Sequence, residues 1–182
     1  VTNSLIEIAE KIDRYRADYV VKINQILSRL VKAIKGEQTT AEVIYQPFVE
    51  LGGTYQDKAM EIFQRALDSD IKRKTTQNGP HREDFSLLLN GRNIAQYGSQ
   101  GENRLVALAL KLTPYFLIDD ENKKPIIVLD DVLSELDQKH QDNLIDLLAK
   151  LSQVFITTTH YKYSATTLYE VTDQSVIRRN FL

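Results

Sequence analysis

The run Ile126-Ile127-Val128-Leu129-Asp130-Asp131 constrains the fold more than any other part of the chain. An apolar residue at every position is the pattern of a strand buried on both faces, as in a sheet covered by helices. Asp137 can then cap a helix that carries Leu144, Leu147, Leu148 and Leu151 inward, and Val154-Phe155-Ile156 reads as the next strand. Strand, helix and strand within one sheet form a right-handed crossover, so the two strands are parallel. The fold class is therefore α/β. Ligands of such open sheets bind beyond the carboxyl ends of the strands, which is where Asp130 and Asp131 stand.

The front of the chain has a different texture. Ser4 and Glu7 fit a capping box, and Leu5, Ile8, Ile12, Tyr15 and Tyr19 follow at alternating spacings of three and four. The stripe continues through Ile23, Ile26, Leu27, Leu30 and Ile34 to a stop at Gly36, which predicts one helix of about 31 residues, roughly 45 Å long. Val43, Tyr45 and Pro47 read as a short edge strand. A second helix starts near Thr54 and Asp57, turns Met60, Phe63, Ala66, Leu67 and Ile71 inward, and ends at Lys72, Arg73 and Lys74. Phe85 to Leu89, then Asn90-Gly91, then Arg92 to Gln96 is the pattern of a hairpin closed by a type I′ turn. Two parts follow from this: a helical arm over residues 1–77 and an α/β lobe over residues 78–182.

Charge agrees with the division. The arm holds 12 Lys or Arg against 11 Asp or Glu and the lobe 11 against 14, while the first 35 residues alone carry seven against four. The whole chain, 23 basic against 25 acidic, carries no general attraction to nucleic acid; only if the first helix faces DNA would Arg14, Arg16, Lys22 and Arg29 be its candidate phosphate contacts, and a solvated charged face is the commoner meaning of such residues. The absence of Cys excludes disulfides, thiolate zinc sites and a cysteine nucleophile. No run approaches the roughly 18 apolar residues of a membrane span, and the first ten residues lack a signal-peptide layout, so a cytosolic protein is expected.

Three segments carry chemistry. Two adjacent acids at a strand end suit Mg²⁺, which takes oxygen ligands and keeps several waters, though Asp there also simply begins a turn. Ser134-Glu135-Leu136-Asp137 follows them, and Thr159-His160 ends the next strand, where His160 fits either a phosphate sensor or a surface histidine. Ser99-Gln100-Gly101-Glu102 precedes the Ala-Leu-rich stretch Leu105 to Leu110, so a hydroxyl and backbone N–H groups stand at a positive helix end. None of the seven glycines is followed by Lys, so the chain has no G-x-x-x-x-G-K-[ST] phosphate loop.

The Ser99-Gln100-Gly101-Glu102 segment resembles the signature motif of the ABC ATPase superfamily, in particular its SMC-like branch. Asn78-Gly79-Pro80-His81-Arg82-Glu83-Asp84, the Asn90-Gly91 hairpin, Gly98 to Gly101 and Asp130 to Asp137 together resemble the RecF family of bacterial recombination-mediator and repair ATPases. Glu102 departs from that family, which often has Gln there. The resemblance implies the C-terminal lobe of an SMC-like ATPase head, with parallel strands, a β-hairpin and a helical arm. It implies Asp130 as the Mg²⁺ acid, Asp131 as the group orienting water and His160 as the switch histidine. Ser99, Gln100, Gly101 and Glu102 would meet ATP held by a second copy, with Ser134 and Asp137 in the D-loop at the seam. The intact protein would be a slow ATPase that binds ATP, Mg²⁺ and gapped DNA, dimerises around ATP and works with RecO and RecR in the bacterial cytoplasm; the chain alone would be inactive. The alternatives are the head of another SMC-like DNA ATPase, a module that binds DNA or protein without nucleotide, and, more weakly, a metal nuclease using Asp130 and Asp131.

Overall fold

The long first helix forms as its periodicity requires. In the computed structural model, which describes residues 2–159, 162–163 and 167–179 (for Thr2, the backbone alone), α1 spans Thr2–Lys35. Gly36 ends it at φ 123°, in the region open to glycine, and Lys32 and Lys35 lie in the last turn against the negative helix end. Because the helix already includes Thr2, Ser4 and Glu7 lie inside it and form no capping box. The stripe also divides. Ile26, Leu27, Leu30 and Ile34 are buried, whereas Leu5, Ile8, Ile12, Tyr15 and Tyr19 are exposed, and Ile6, Ala9 and Asp13 are buried in their place. The first half of α1 is covered on that other side only, by Val49, Tyr55, Ala59 and Phe63.

After α1 come β1 (Ala41–Gln46), α2 (Tyr55–Arg73), a 3₁₀ turn at Pro80–Arg82, β2 (Asp84–Leu89) and β3 (Arg92–Asn93). The three strands make one antiparallel sheet in the order β1-β2-β3, with Ala41 opposite Leu89 and Gln46 opposite Asp84. β1 is the edge strand, ending just before Pro47, and Asn24 of α1 closes part of its open side. The Asn24 amide donates to the Val43 carbonyl at 2.9 Å and accepts from the Val43 N–H at 2.8 Å, as a neighbouring strand would. Asn90 and Gly91 take φ values of 50° and 75°, as a type I′ turn requires. The returning strand is shorter than its expected run to Gln96. Asn93 instead accepts from the Ala95 N–H at 2.9 Å and caps a short helix, α3 (Ile94–Tyr97). In α2, Phe63 is buried and Met60 and Ala66 are half-buried, but Leu67 and Ile71 are exposed, because the helix runs on past the small core it shares with α1.

The rest of the lobe is α4 (Gln100–Leu117), β4 (Ile127–Asp130), α5 (Gln138–Leu148), β5 (Val154–Thr157) and a hairpin of β6 (Leu168–Val171) and β7 (Val176–Arg179). β4 and β5 pair in parallel, Ile127 with Val154 and Asp130 with Thr157, as the crossover pattern requires. The continuous apolar run is not buried on both faces, however. Ile127 and Leu129 enter the core, while Ile126 and Val128 are exposed beside Phe155, because the helices of the described structure cover one side of this pair only. The main core draws on both sides of residue 77: Leu27, Val31, Ile34, Ala41 and Val43 pack with Val106, Ala109, Leu112, Ile127, Leu129, Leu144 and Leu148. Full burial of a Leu, Ile or Val side chain contributes about 1.5–3 kcal/mol.

A buried polar knot ties the arm to the segment before β2. Asp13 is wholly buried and accepts from the Tyr55 hydroxyl at 2.6 Å, while the Tyr45 hydroxyl lies between Asp13 and Glu83. Glu83 also accepts from the Phe48 N–H at 3.2 Å and from Arg16 at 2.6 Å, and Arg16 donates to the Pro80 carbonyl. Burial pushes Asp13 up to about 6 despite the Tyr55 hydrogen bond, with neighbouring Glu83 adding to the rise. Burial acts on Glu83 too, but its donors, Tyr45 first, hold it below the usual carboxylate range. The Tyr45 proton thus lies between two carboxylates, and burial favours a proton on Asp13.

An aspartate whose native pKa lies above its unfolded value of about 4 binds protons more tightly when folded, so its contribution to stability falls as pH rises from about 4 to about 6. Asp13→Asn retains an acceptor for Tyr55 and a donor toward Tyr45 and Glu83. Thermal melts at pH 5 and pH 8 should show this variant less sensitive to pH than the native chain and at least as stable at pH 8; a loss of stability equal at both values would exclude a shared proton.

Candidate functional site

The start of α4 is built by its own sequence. Ser99 is the N-cap: its Oγ accepts from the Glu102 N–H at 3.3 Å, and Glu102 Oε2 accepts from both the Ser99 N–H and the Ser99 hydroxyl at 3.1 Å. This is a complete capping box at the signature-like segment. The second Glu102 oxygen is ion-paired with Lys35 at the end of α1. Lys35 foremost, then the Ser99 N–H, lowers the Glu102 carboxyl to about 2. Gly101 stands in the first helical turn, and a Cβ built there would meet nothing within 4 Å. Glycine is thus not demanded by packing within the chain, and its backbone is open to close approach from outside. Gly98 differs, because a Cβ there would lie 2.6 Å from the Ile94 carbonyl oxygen.

The acidic strand end is ordered from the neighbouring strand. The register sets Asp130 beside Thr157, whose hydroxyl donates to Asp130 Oδ1. The Asp131 N–H donates to the Thr157 carbonyl at 3.1 Å and to its hydroxyl oxygen at 3.0 Å. Asp131 itself turns the chain at φ 48°, a left-handed conformation that Asp tolerates better than most residues. Ser134 Oγ lies 2.9 Å from the Asp131 carbonyl and 3.0 Å from Asp131 Oδ2, and thus braces this turn. Asp137 caps α5, accepting from the His140 N–H at 3.0 Å, the main cause of its lowered pKa, and pairs with His140 Nδ1 at 2.7 Å. Gln141 reaches back to the carbonyls of Leu133 and Leu136, at 2.6 Å and 2.9 Å.

These segments do not all meet. Ser99, Gly101 and Glu102 line a cleft of about 360 Å³ with Lys35, Glu135, Asp137 and His140, and Glu135 pairs with Arg104 at 2.6 Å. Asp130 and Asp131 are exposed and do not line this cleft. His160 lies outside the described residues. On α1, Arg14 pairs with Glu10, Arg29 Nε donates to the Gln25 carbonyl, and Lys22 is exposed, all on the solvent face. Arg16, about 200° round the helix from Arg14, turns the other way into the knot with Glu83. Lys35, Arg104, Gln141 and Thr157 carry no motif of their own. Thr157 was within reach of the strand pairing, but nothing in the sequence links Lys35 to Glu102. Among the described residues no cluster of three or more His, Asp or Glu is placed to hold a metal, and no helix is long and apolar enough to cross a membrane.

The fold is α/β, with the signature-like helix start and the acidic strand end on one lobe. No family model matches the chain. The DNA replication and repair protein RecF of Lactobacillus delbrueckii subsp. bulgaricus is 37% identical over 153 residues, 80% of this chain and 40% of that protein. RecF of Geotalea uraniireducens is 37% identical over 164 residues, 87% of this chain and 45% of its own. Among solved structures, the recombination mediator protein RecF with ATP, of the RecFOR pathway, superposes with a TM-score of 0.77 at 29% identity, covering 98% of this chain and 49% of that one. A RecF–ATPrS structure gives 0.75 at 28% identity. The chain is RecF-like and corresponds to the C-terminal portion of that protein, spanning somewhat under half the length of the relatives it matches.

The two signature positions separate folding from ligand contact. Ser99→Ala should lower stability by about 1 kcal/mol by removing the cap, read as a fall in melting temperature. Gly101→Ala should leave stability unchanged or raise it by up to about 1 kcal/mol, read in the same way. A melting temperature clearly lowered by Gly101→Ala would show that the glycine serves the fold.

Proposed function

We propose that this chain is the part of a RecF-like ATPase that completes a nucleotide site on a second copy of the protein. The parent would bind ATP and DNA in the bacterial cytoplasm, dimerise around ATP, and act with RecO and RecR at single-strand gaps in recombinational repair and replication restart. One observation supports the trans assignment: within a single chain the Asp130-Asp131 pair does not line the cleft that Ser99, Gly101 and Glu102 line. Each is then half of a site, and no phosphate loop in this chain completes either one.

The residues fit the groups such a site would hold. Phosphate suits the Ser99 hydroxyl and the Gly101 N–H at the positive end of an 18-residue helix with open space at Gly101. Mg²⁺ suits an all-oxygen donor set, which Asp130, oriented by Thr157, would lead. When bound, the ion would neutralise phosphate charge. Asp131, braced by Ser134, would orient the attacking water, Asp137 would lie at the dimer seam, and His160 would sense phosphate. Arg14, Lys22 and Arg29 on the solvent face of α1 would meet DNA phosphates, and Arg16 would hold the arm in place through Glu83. A nucleotide-independent interaction module is the second reading, favoured by the exposed row Leu5, Ile8, Ile12, Tyr15 and Tyr19.

In the full-length protein Ser99→Arg should leave nucleotide binding to the monomer intact and abolish ATP-dependent dimerisation and turnover. Mixed with a variant disabled in the phosphate loop it should recover part of the ATPase rate, since one undamaged composite site can form. No recovery, together with failure to bind nucleotide, would place the segment in cis. The arm has its own test. Replacing Arg14, Lys22 and Arg29 by Gln should weaken DNA binding alike for all sequences and reduce the salt slope by roughly one for each phosphate no longer neutralised; an unchanged slope would move DNA binding elsewhere.

A further inference from the structure

Glu102 occupies the place that the proposed site reserves for a phosphate. One of its carboxylate oxygens takes both the N–H and the hydroxyl of Ser99, so that hydroxyl has no proton left for another acceptor. A phosphate approaching Ser99 must displace this oxygen, and it does so beside the negative charge it displaces. Three carboxylates line the cleft, and each has a partner: Glu135 has Arg104, Asp137 has His140 and Glu102 has Lys35. Lys35 differs from the others in its origin. It is the last residue of α1, 67 positions from Glu102 in the sequence, and its side chain is mostly buried against the signature segment. α1 is held there independently of any ligand, because Leu30, Val31 and Ile34 sit in the main core and the Asn143 amide donates to the Ile34 carbonyl at 2.8 Å.

We propose that Lys35 is a positioning residue of the composite nucleotide site: it keeps the Glu102 carboxylate when that group leaves Ser99, so that the Ser99 hydroxyl and N–H can turn to the phosphate of a nucleotide bound to a second copy of the protein. This rests on the trans assignment of Ser99 above. With Lys35 present, Glu102 gives up its hydrogen bonds to Ser99 and retains its ion pair, and the nearest like charge is balanced as the phosphate enters. Without it, the remaining donors to the Glu102 carboxylate among the described residues are those of Ser99, and the carboxylate competes with phosphate for them. Lys35 is also a covalent part of the arm helix, so a displacement of α1 moves the group that governs access to Ser99.

The test uses the full-length protein and reads, by light scattering, the ATP concentration that half-maximally drives dimerisation; nucleotide binding to the monomer and melting temperature are followed alongside. Lys35→Gln should raise that concentration by about tenfold, the scale of one charge-assisted hydrogen bond, with monomer binding unchanged. Lys35→Arg should stay near the native value. The double variant Lys35→Gln with Glu102→Gln should recover most of the response, because Gln still caps Ser99 and brings no charge. A merely structural Lys35 predicts no such recovery, and the double variant keeps the test informative if the single one fails to fold. If Lys35→Gln dimerises at native ATP concentrations while Ser99→Arg does not dimerise, the role of Lys35 falls and the trans site stands. If Ser99→Arg also dimerises normally, both fall.

Discussion

Leu27, Val31 and Ile34 are wholly buried on one side of α1, and the packing of that side against α4 and α5 sets the geometry of everything near the candidate site. The same half of α1 holds the edge of β1 through Asn24 and brings Lys35 to the first turn of α4. A helix that begins in the arm therefore ends as one wall of the signature cleft. The lobe is not a separate body to which an arm is attached, since its core includes residues from both.

The other half of α1 is held by chemistry of a different kind. Its buried face is narrow, and the group at its centre is a carboxylate. Asp13, Tyr45, Tyr55, Glu83 and Arg16 satisfy one another, and no buried side-chain polar atom among the described residues is left without a partner. A buried ionic network of this sort contributes less to net stability than to the choice of one arrangement over others, because desolvation offsets much of the attraction. Here it joins two arm helices to the turn at Pro80–Arg82, so the Gly79-Pro80-His81-Arg82 segment is fixed to the arm by Glu83, which follows it.

At the acidic strand end, backbone geometry and hydrogen bonding work together. Asp131 adopts a left-handed conformation, Thr157 holds both its N–H and the Asp130 carboxylate, and Ser134 closes the turn. The two carboxylates reach solvent in a defined orientation because the parallel pairing of β4 with β5 brings the Thr157 hydroxyl to Asp130, while Ser134 holds Asp131.

Periodicity, turn residues and short spacings made much of this legible in advance. The long helix, the Asn90-Gly91 turn, the parallel pair and the helix start after Ser99 are local consequences of residue order, since 3.6-residue and two-residue repeats and turn residues act within a few positions. The motifs in Ser99 to Glu102 and Asp130 to Asp137 were local as well. Periodicity could not tell which face of a repeat would find a partner: Leu5, Ile8, Ile12, Tyr15, Tyr19, Leu67, Ile71 and Val128 are as apolar as their buried counterparts, yet they are exposed in the folded chain. Nor could it show the pairing of Asp13 with Tyr55 or of Lys35 with Glu102, 42 and 67 residues apart. Charged and hydroxyl side chains carry no signal of the distant group they will meet. The sequence by itself therefore determined the elements and the chemistry available at their ends; which faces are covered, and which basic group stands beside Ser99, was decided only when α1 packed across the lobe.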